Sequence, residues 1–280
     1  MKRRIWQISC LAFLNLPFIG QWKMICMPVL NCHSCPWAAF ACPVGVFGHF
    51  AMWTVLPLLA LGTTLVLGAI FGRILCGWAC PFGFLQDLLH KIPSPKWTLP
   101  GWMTYIKYVL LVGSVILVPM LLGINNYAFF CKLCPVGTIE SLIPRALAGA
   151  DFAALAKGWP RLTVLVGLIL WAVTTSRSFC KALCPIGAFL AVFNRLSGFS
   201  IKYSQGICAD CQICLDECPM DVRIEDFQKK EGDEVLVAPS ECILCLNCTK
   251  NCHQSGLRFS FWNLNKGETI QPTGKMESFD

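Results

Sequence analysis

Residues 71–83 read FGRILCGWACPFG, and residues 175–187 read TSRSFCKALCPIG. Each stretch follows a long apolar run. Both share one frame: a basic residue, two spacers, Cys, three spacers, Cys-Pro, one spacer, Gly. Extended further, RILCGWACPFGFLQDLL superposes on RSFCKALCPIGAFLAVF without a gap. Internal repetition of this kind means that one structural unit is used twice. A looser pair lies upstream of each copy, CHSCPWAAFACPVG at 32–45 and CKLCPVG at 131–137. Each half therefore reads as span, Cys-Pro loop, span, Cys-Pro loop, short helix. An even number of spans per half makes the repeats parallel, about a pseudo-twofold axis along the membrane normal. Equivalent loops then fall on the same side and face each other.

Composition supports the word "span". Of 280 residues, 55% are hydrophobic and only 14% are charged, against roughly a quarter charged in soluble domains. Four stretches, 5–30, 46–71, 103–123 and 161–179, approach the ~20 residues needed to cross a bilayer core. Asn15-Leu16-Pro17 puts a kink in the first, and no small-residue cleavage site marks it as a removed leader. The net charge of +7 reflects basic residues flanking these spans, so it points to topology and not to nucleic acid. Lys2, Arg3, Arg4, Arg73, Lys91, Lys96, Arg177, Lys181, Arg195 and Lys202 outnumber Lys23, Lys132, Arg145, Lys157 and Arg161 on the opposite face. Both termini are expected in the cytoplasm of a prokaryotic inner membrane. The stretches 83–92 and 187–196 read as short interfacial helices. The fold class expected is a four-helix transmembrane all-α domain over 1–200, in two pseudo-repeats, followed by a small α+β ferredoxin-like domain over 201–280.

Nineteen cysteines in a chain too long and apolar for a secreted disulfide scaffold point to metal binding. The repeat turns their number into a stoichiometry. On the inner side the loops bring Cys76, Cys80, Cys180 and Cys184, the four thiolates that an iron–sulfur cube takes from protein. On the outer side Cys131 and Cys134 meet Cys32, Cys35 and Cys42, one thiol too many. Cys42 aligns with Cys134, so either Cys32 or Cys35 is spare. An outer cluster and a disulfide both fit that set. Cys-Pro-x-Gly recurs at Cys42, Cys80, Cys134 and Cys184. Proline disfavours αR at the residue before it and suits the first turn of a helix. Each of these cysteines should therefore sit at an N-cap, where the helix dipole favours a thiolate and lowers its pKa. Cys10 and Cys26 follow no pattern and read as packing residues.

The C-terminal runs are more specific. CADCQICLDECP at 208–219 and CILCLNCTKNCH at 242–253 are both Cys-x2-Cys-x2-Cys-x3-Cys, in which the fourth cysteine ligates the other cluster. Cys208, Cys211, Cys214 and Cys252 would hold one [4Fe-4S] cluster, and Cys242, Cys245, Cys248 and Cys218 the second. Zinc sites separate their Cys-x2-Cys pairs by longer gaps. His253 stands where proline is usual, which costs no ligand. Between the runs, EVLVAP at 234–239 alternates as a hairpin strand does.

Spans, paired Cys-x3-Cys-Pro loops and a two-cluster C-terminal module together resemble the NapH/MauN-type ferredoxin membrane proteins over nearly the whole chain. The resemblance implies that Cys76-x3-Cys80-Pro81 and Cys180-x3-Cys184-Pro185 match that family's cytoplasmic loops. It also implies a membrane component that passes electrons from quinol toward partner redox proteins, or supports metalloenzyme assembly. The outer Cys32-x2-Cys35-Pro36 and Cys131-x2-Cys134-Pro135 elements are additional to the simplest pattern. Two function classes follow. One is an electron conduit joining ferredoxin clusters, membrane-edge clusters and a quinone or redox partner. The other is a maturation or regulatory protein whose outer thiols handle a metal or a disulfide. No quinone site is legible: His49, His90 and Trp53 are polar or aromatic groups near a membrane face, and each reads first as a packing residue.

Overall fold

The computed structural model describes residues 2–15, 23, 25–149, 158–194, 196–204, 211–223, 234–237 and 239–261. Helix α1 (Lys2–Leu14) opens the chain. An irregular stretch over 25–42 follows, pinned by a parallel bridge between Cys26 and Ala41. The Asn31 amide donates there to the Leu14 and Phe40 carbonyls at 3.3 and 3.4 Å. The apolar run 46–71 does not form one rod. Helix α2 (Pro43–Met52) stops and α3 (Leu58–Phe71) restarts, because Thr54 takes a φ of 53° and Pro57 supplies no N–H to continue the ladder.

Beyond α3 come two short helices, α4 (Ile74–Trp78) and α5 (Pro81–Leu89). Helix α6 (Gly101–Leu122) has 22 residues and is long and apolar enough to cross a membrane, about 33 Å at 1.5 Å per residue. Its middle, Leu110–Leu117, is wound as a π-helix. Helix α7 (Phe130–Leu133) leads into α8 (residues 135–149), which also contains a π segment at Thr138–Leu142. Helix α9 (Trp159–Thr174) is followed by α10 (Ser178–Ala182) and α11 (Pro185–Phe193). Among the described residues α6 alone reaches membrane length, while α2, α3 and α9 are apolar helices of 10, 14 and 16 residues.

The outward faces of these helices are apolar. Val109 on α6, Leu58 on α3 and Leu170 on α9 are 71%, 74% and 64% exposed, a large unpartnered apolar surface. The inward faces meet in one core that includes Leu30, Val44, Phe82, Val115, Val136, Phe179 and Leu190. Phe82 and Phe179 pack edge to face at 5.0 Å, and the completely buried Leu190 contributes roughly 1.5–3 kcal/mol. Helix α11 buries Pro185, Ile186, Gly187, Ala188, Leu190 and Ala191. It is therefore a packed core helix, not the interfacial one that its amphipathic pattern suggests.

The C-terminal part is built on a three-stranded antiparallel sheet in the order β2-β1-β3, with β1 at Phe199–Ser204, β2 at Glu234–Val237 and β3 at Leu257–Phe261. Ile201 pairs with Val237 on one side and Phe259 on the other, and EVLVAP supplies β2 as its alternation suggests. Short helices α12 (Ile213–Asp216) and α13 (Asn247–Lys250) carry cysteines over a small core of Ile201, Tyr203, Leu244 and Leu257.

This part sits directly on the inner loops. Trp78 Nε1 donates to the Leu244 carbonyl at 2.9 Å, and the Asn194 amide donates to the Pro239 and Cys242 carbonyls at 2.7 and 3.0 Å. Arg73 donates to the Ser240 carbonyl and to Glu241, both at 2.8 Å. Lys107 of α6 reaches the same carboxylate at 2.5 Å. At Gly77 a Cβ would collide with the Ile243 carbonyl oxygen, so glycine is what lets α4 meet that loop.

Candidate metal centres

The four Cys-Pro-x-Gly elements fold identically. Cys42, Cys80, Cys134 and Cys184 are N-caps of α2, α5, α8 and α11, each with extended φ/ψ and proline in the first turn. The free N–H groups of that turn point at the sulfur, as where the Gly187 N–H donates to Cys184 Sγ at 3.3 Å. The following glycine makes room: at Gly83 a Cβ would lie 3.1 Å from the Cys76 carbonyl oxygen.

The described cysteines gather into three complete quartets, two of them built on these caps. Cys76, Cys80, Cys180 and Cys184 lie close enough that every pair interacts electrostatically. Cys32, Cys42, Cys131 and Cys134 do the same. So do Cys218, Cys242, Cys245 and Cys248. Of the remaining ferredoxin-type set, Cys214 and Cys252 share the small core beneath the sheet, Cys211 is exposed, and Cys208 lies outside the described residues. Cys35 is buried beside Cys32, and it does not line the outer cavity.

Burial outweighs the helix ends. It pushes the Cys80 thiol up to about 12, with Cys180 and Cys76 adding to it and the Gly83 N–H only partly opposing it. Burial likewise raises Cys134 to about 12 and Cys32 to about 11. The expectation of thiols activated by the dipole is therefore reversed, because loss of solvation costs a thiolate more than a few N–H groups return. Such thiols ionise when a metal supplies positive charge.

The inner quartet is set among cations. Arg73 and Arg177, completely buried, lie beside Cys76 and Cys180 and favour their thiolates. The Arg73 Nε–H is buried without an acceptor from protein. Arg177 holds Asp87 through two bonds of 2.7 and 2.6 Å, and Arg3 closes on the same carboxylate. Burial alone would raise the Asp87 pKa, but Arg177 and Arg3 bring it below the usual carboxylate value. Gln86 donates to Cys180 Sγ at 3.1 Å. The wall is shared with the next quartet: Cys76, Cys218 and Cys245 pack against one cluster of Met220, Val222 and Ile243, and Arg177 lies beside both Cys180 and Cys245.

The outer quartet borders a cavity of about 270 Å³, also lined by His33, His49, Lys132, Arg145 and Arg161. Among the described residues no three His, Cys, Asp or Glu side chains converge closely enough to hold a single ion, so this quartet surrounds a volume and not a point. The two imidazoles meet edge to face at 5.0 Å. His49 Nδ1 donates to the Gly45 carbonyl at 2.8 Å. Burial, with His49, Lys23 and Arg145 nearby, lowers His33 to about 4, so it is neutral. Glu140 accepts from the Cys32 N–H at 2.7 Å, and burial raises its pKa to about 7. His90 lies at the C-terminus of α5, away from that cavity, and Trp53 is 68% exposed beyond α2.

Gln86, Asp87, Asn194 and Glu140 were not singled out from the sequence. The signal for the first two was present: Gln86-Asp87 occupies the place where the second copy has the apolar Leu190-Ala191. Asn194 and Glu140 carry no such mark.

Comparison with known proteins bears on the segment from residue 53 to 204. A 4Fe-4S binding domain profile matches residues 53–100, 108–149 and 158–204. The uncharacterized protein MJ0750 of Methanocaldococcus jannaschii is 30% identical over 207 residues, 70% of this chain and 75% of that protein. The ferredoxin-type protein NapH of Haemophilus influenzae is 26% identical over 92% of this chain and 88% of its own. The methylamine utilization ferredoxin-type protein MauN of Methylobacillus flagellatus is 31% identical over 57% of this chain and 53% of its own. No solved structure matches the chain. With its duplicated Cys-Pro caps and the shared 4Fe-4S domain, the chain belongs to the NapH/MauN-type ferredoxin family.

Proposed function

We propose that this protein is a membrane-embedded electron conduit with four [4Fe-4S] centres. In order of depth they are held by Cys208/Cys211/Cys214/Cys252, Cys218/Cys242/Cys245/Cys248, Cys76/Cys80/Cys180/Cys184 and Cys32/Cys42/Cys131/Cys134. When bound, such a centre takes up and releases one electron. The observation that carries the reading is the common wall between the second and third sets, Met220, Val222 and Ile243 with Gly77 pressed against the loop. Electron exchange needs close approach, and a glycine seam provides it.

The residues fit the group. The three complete quartets each offer four buried or part-buried thiols, and backbone N–H groups are aimed at Cys184, Cys218 and Cys242. Arg73 and Arg177 offset negative charge at the inner set, and the Arg73 Nε–H without a protein acceptor suits a sulfide there. At the outer set Lys132, Arg145 and Arg161 do the offsetting. The two-fold repeat, four bilayer crossings and cytoplasmic termini complete the reading. It is supported by the apolar outward faces and by Arg3 and Gln7 reaching Gly77 from α1 at 3.2 and 3.0 Å. That contact supports a chain start on the same side as residues 199–261. Electrons are exchanged with a quinone or an outside redox partner at the outer cavity, beside His33 and His49. The alternative of a cycling outer dithiol is disfavoured by the raised pKa of Cys32 and Cys134, since reactive cysteines have depressed values.

An anaerobic iron and sulfide count on the purified full chain tests this, with EPR of the reduced protein. About sixteen iron atoms per polypeptide, four per cube, are expected. A count of about eight would leave only the two ferredoxin-type centres and sink the conduit.

A further inference from the structure

Resting on the inner [4Fe-4S] centre proposed above, we infer that Gln86 sets that centre's reduction potential through its N–H···S hydrogen bond to Cys180. The orientation of this amide is forced by its partners. Amide oxygen and nitrogen are assigned from the hydrogen-bond network, and here the network has one solution. The Phe179 backbone N–H can only donate, and it meets Gln86 Oε1 at 3.2 Å. The NH2 group must then face the other way, where it lies 3.1 Å from Cys180 Sγ and 3.5 Å from the Phe82 carbonyl. Gln86 is 1% exposed, so its amide groups meet protein partners and not bulk solvent.

A donor aimed at a ligand sulfur stabilises the more electron-rich state and raises the potential, a lever recognised for iron–sulfur proteins generally. The second loop lacks it. Five residues after Pro81 stands Gln86; five after Pro185 stands Leu190, completely buried and without a donor. The two halves therefore supply equal thiols and unequal hydrogen bonding. Gln86 is a positioning residue in this sense: it acts through the Cys180 sulfur and touches no electron donor or acceptor itself.

The experiment is an EPR-monitored redox titration of the full, cluster-loaded chain as wild type, Gln86→Glu and Gln86→Leu. Gln86→Glu is nearly isosteric and keeps an oxygen for the Phe179 N–H while removing the donor. Gln86→Leu installs the residue of the other half. The expected result is an unchanged iron count with one signal moved negative. The shift should correspond to about a tenfold change in its reduced-to-oxidised ratio, roughly 59 mV for one electron, with the other signals in place. Wild-type potentials in both variants with iron retained would overturn the inference. Loss of one cluster's iron in Gln86→Glu would also overturn it, by showing a packing role. A Cys180→Ser control separates this from the underlying reading. If that variant keeps all its iron and every signal, no inner centre exists and the conduit itself fails.

Discussion

At the residue scale, Cys32 and Cys35 show how much three positions of sequence can separate. Both precede the Cys42-Pro43 cap, and both are within reach of the outer side by count alone. Cys32 interacts with Cys42, Cys131 and Cys134 and lines the outer cavity, while Cys35 is buried and does not line it. Cys35→Ser should therefore leave the iron content at the wild-type value, and Cys32→Ser should lower it by about four per chain, one cube. Iron analysis of the two variants side by side checks this, and equal loss from both would contradict the quartet. Asp87 shows the other lesson of this scale. It is the shared anion of Arg3 and Arg177, and its pairing with a completely buried guanidinium is of the kind whose disruption leaves a charge stranded.

At the element scale, the short helices α4 and α10 do more to place the site than the long apolar ones. Each carries the first cysteine of its loop and delivers the chain into the Cys-Pro cap of the next helix. Arg177 enters α10 at a φ of 47°, a left-handed conformation that costs an L-residue on the order of 1 kcal/mol or more; its two bonds to Asp87 hold it there. On α4 the contact with the C-terminal part is set by Gly77. Gly77→Ala would drive a methyl group into the Ile243 carbonyl. The expected cost is about 1–3 kcal/mol of stability, together with slowed electron exchange across the seam. Thermal unfolding and rapid-mixing reduction kinetics of the same variant measure the two effects. Unchanged unfolding would show that the seam has slack.

At the scale of the whole molecule, one carboxylate ties the C-terminal part to the apolar helices. Glu241 receives Arg73 and Lys107, whose side chains are 1% and 0% exposed. Burial alone would raise its pKa, yet the two cations bring it below the ordinary glutamate value. Breaking such a buried pair typically costs about 3–5 kcal/mol because the cations stay uncompensated. Glu241→Gln should therefore loosen residues 199–261 from the inner loops while leaving the thiols intact. Hydrogen exchange of the 239–248 loop should rise in the variant, and unaltered protection there would refute the tie.

The sequence alone determined the local chemistry. Each Cys-Pro-x-Gly fixes an N-cap, since proline at N1 constrains both itself and the cysteine before it, and a gapless repeat doubles that geometry. The spacing of the C-terminal runs likewise names Cys218 as the partner of Cys242, Cys245 and Cys248, because spacing encodes which thiols one short loop can present. Only the tertiary structure decided what depends on packing between distant segments. It set Cys32 and not Cys35 against the outer cavity, broke the 46–71 run at Thr54 and Pro57, and buried α11. It also brought Gln86 to the Cys180 sulfur from 94 positions away. Side-chain periodicity reports which face is apolar, and it carries no information about which neighbour will cover that face.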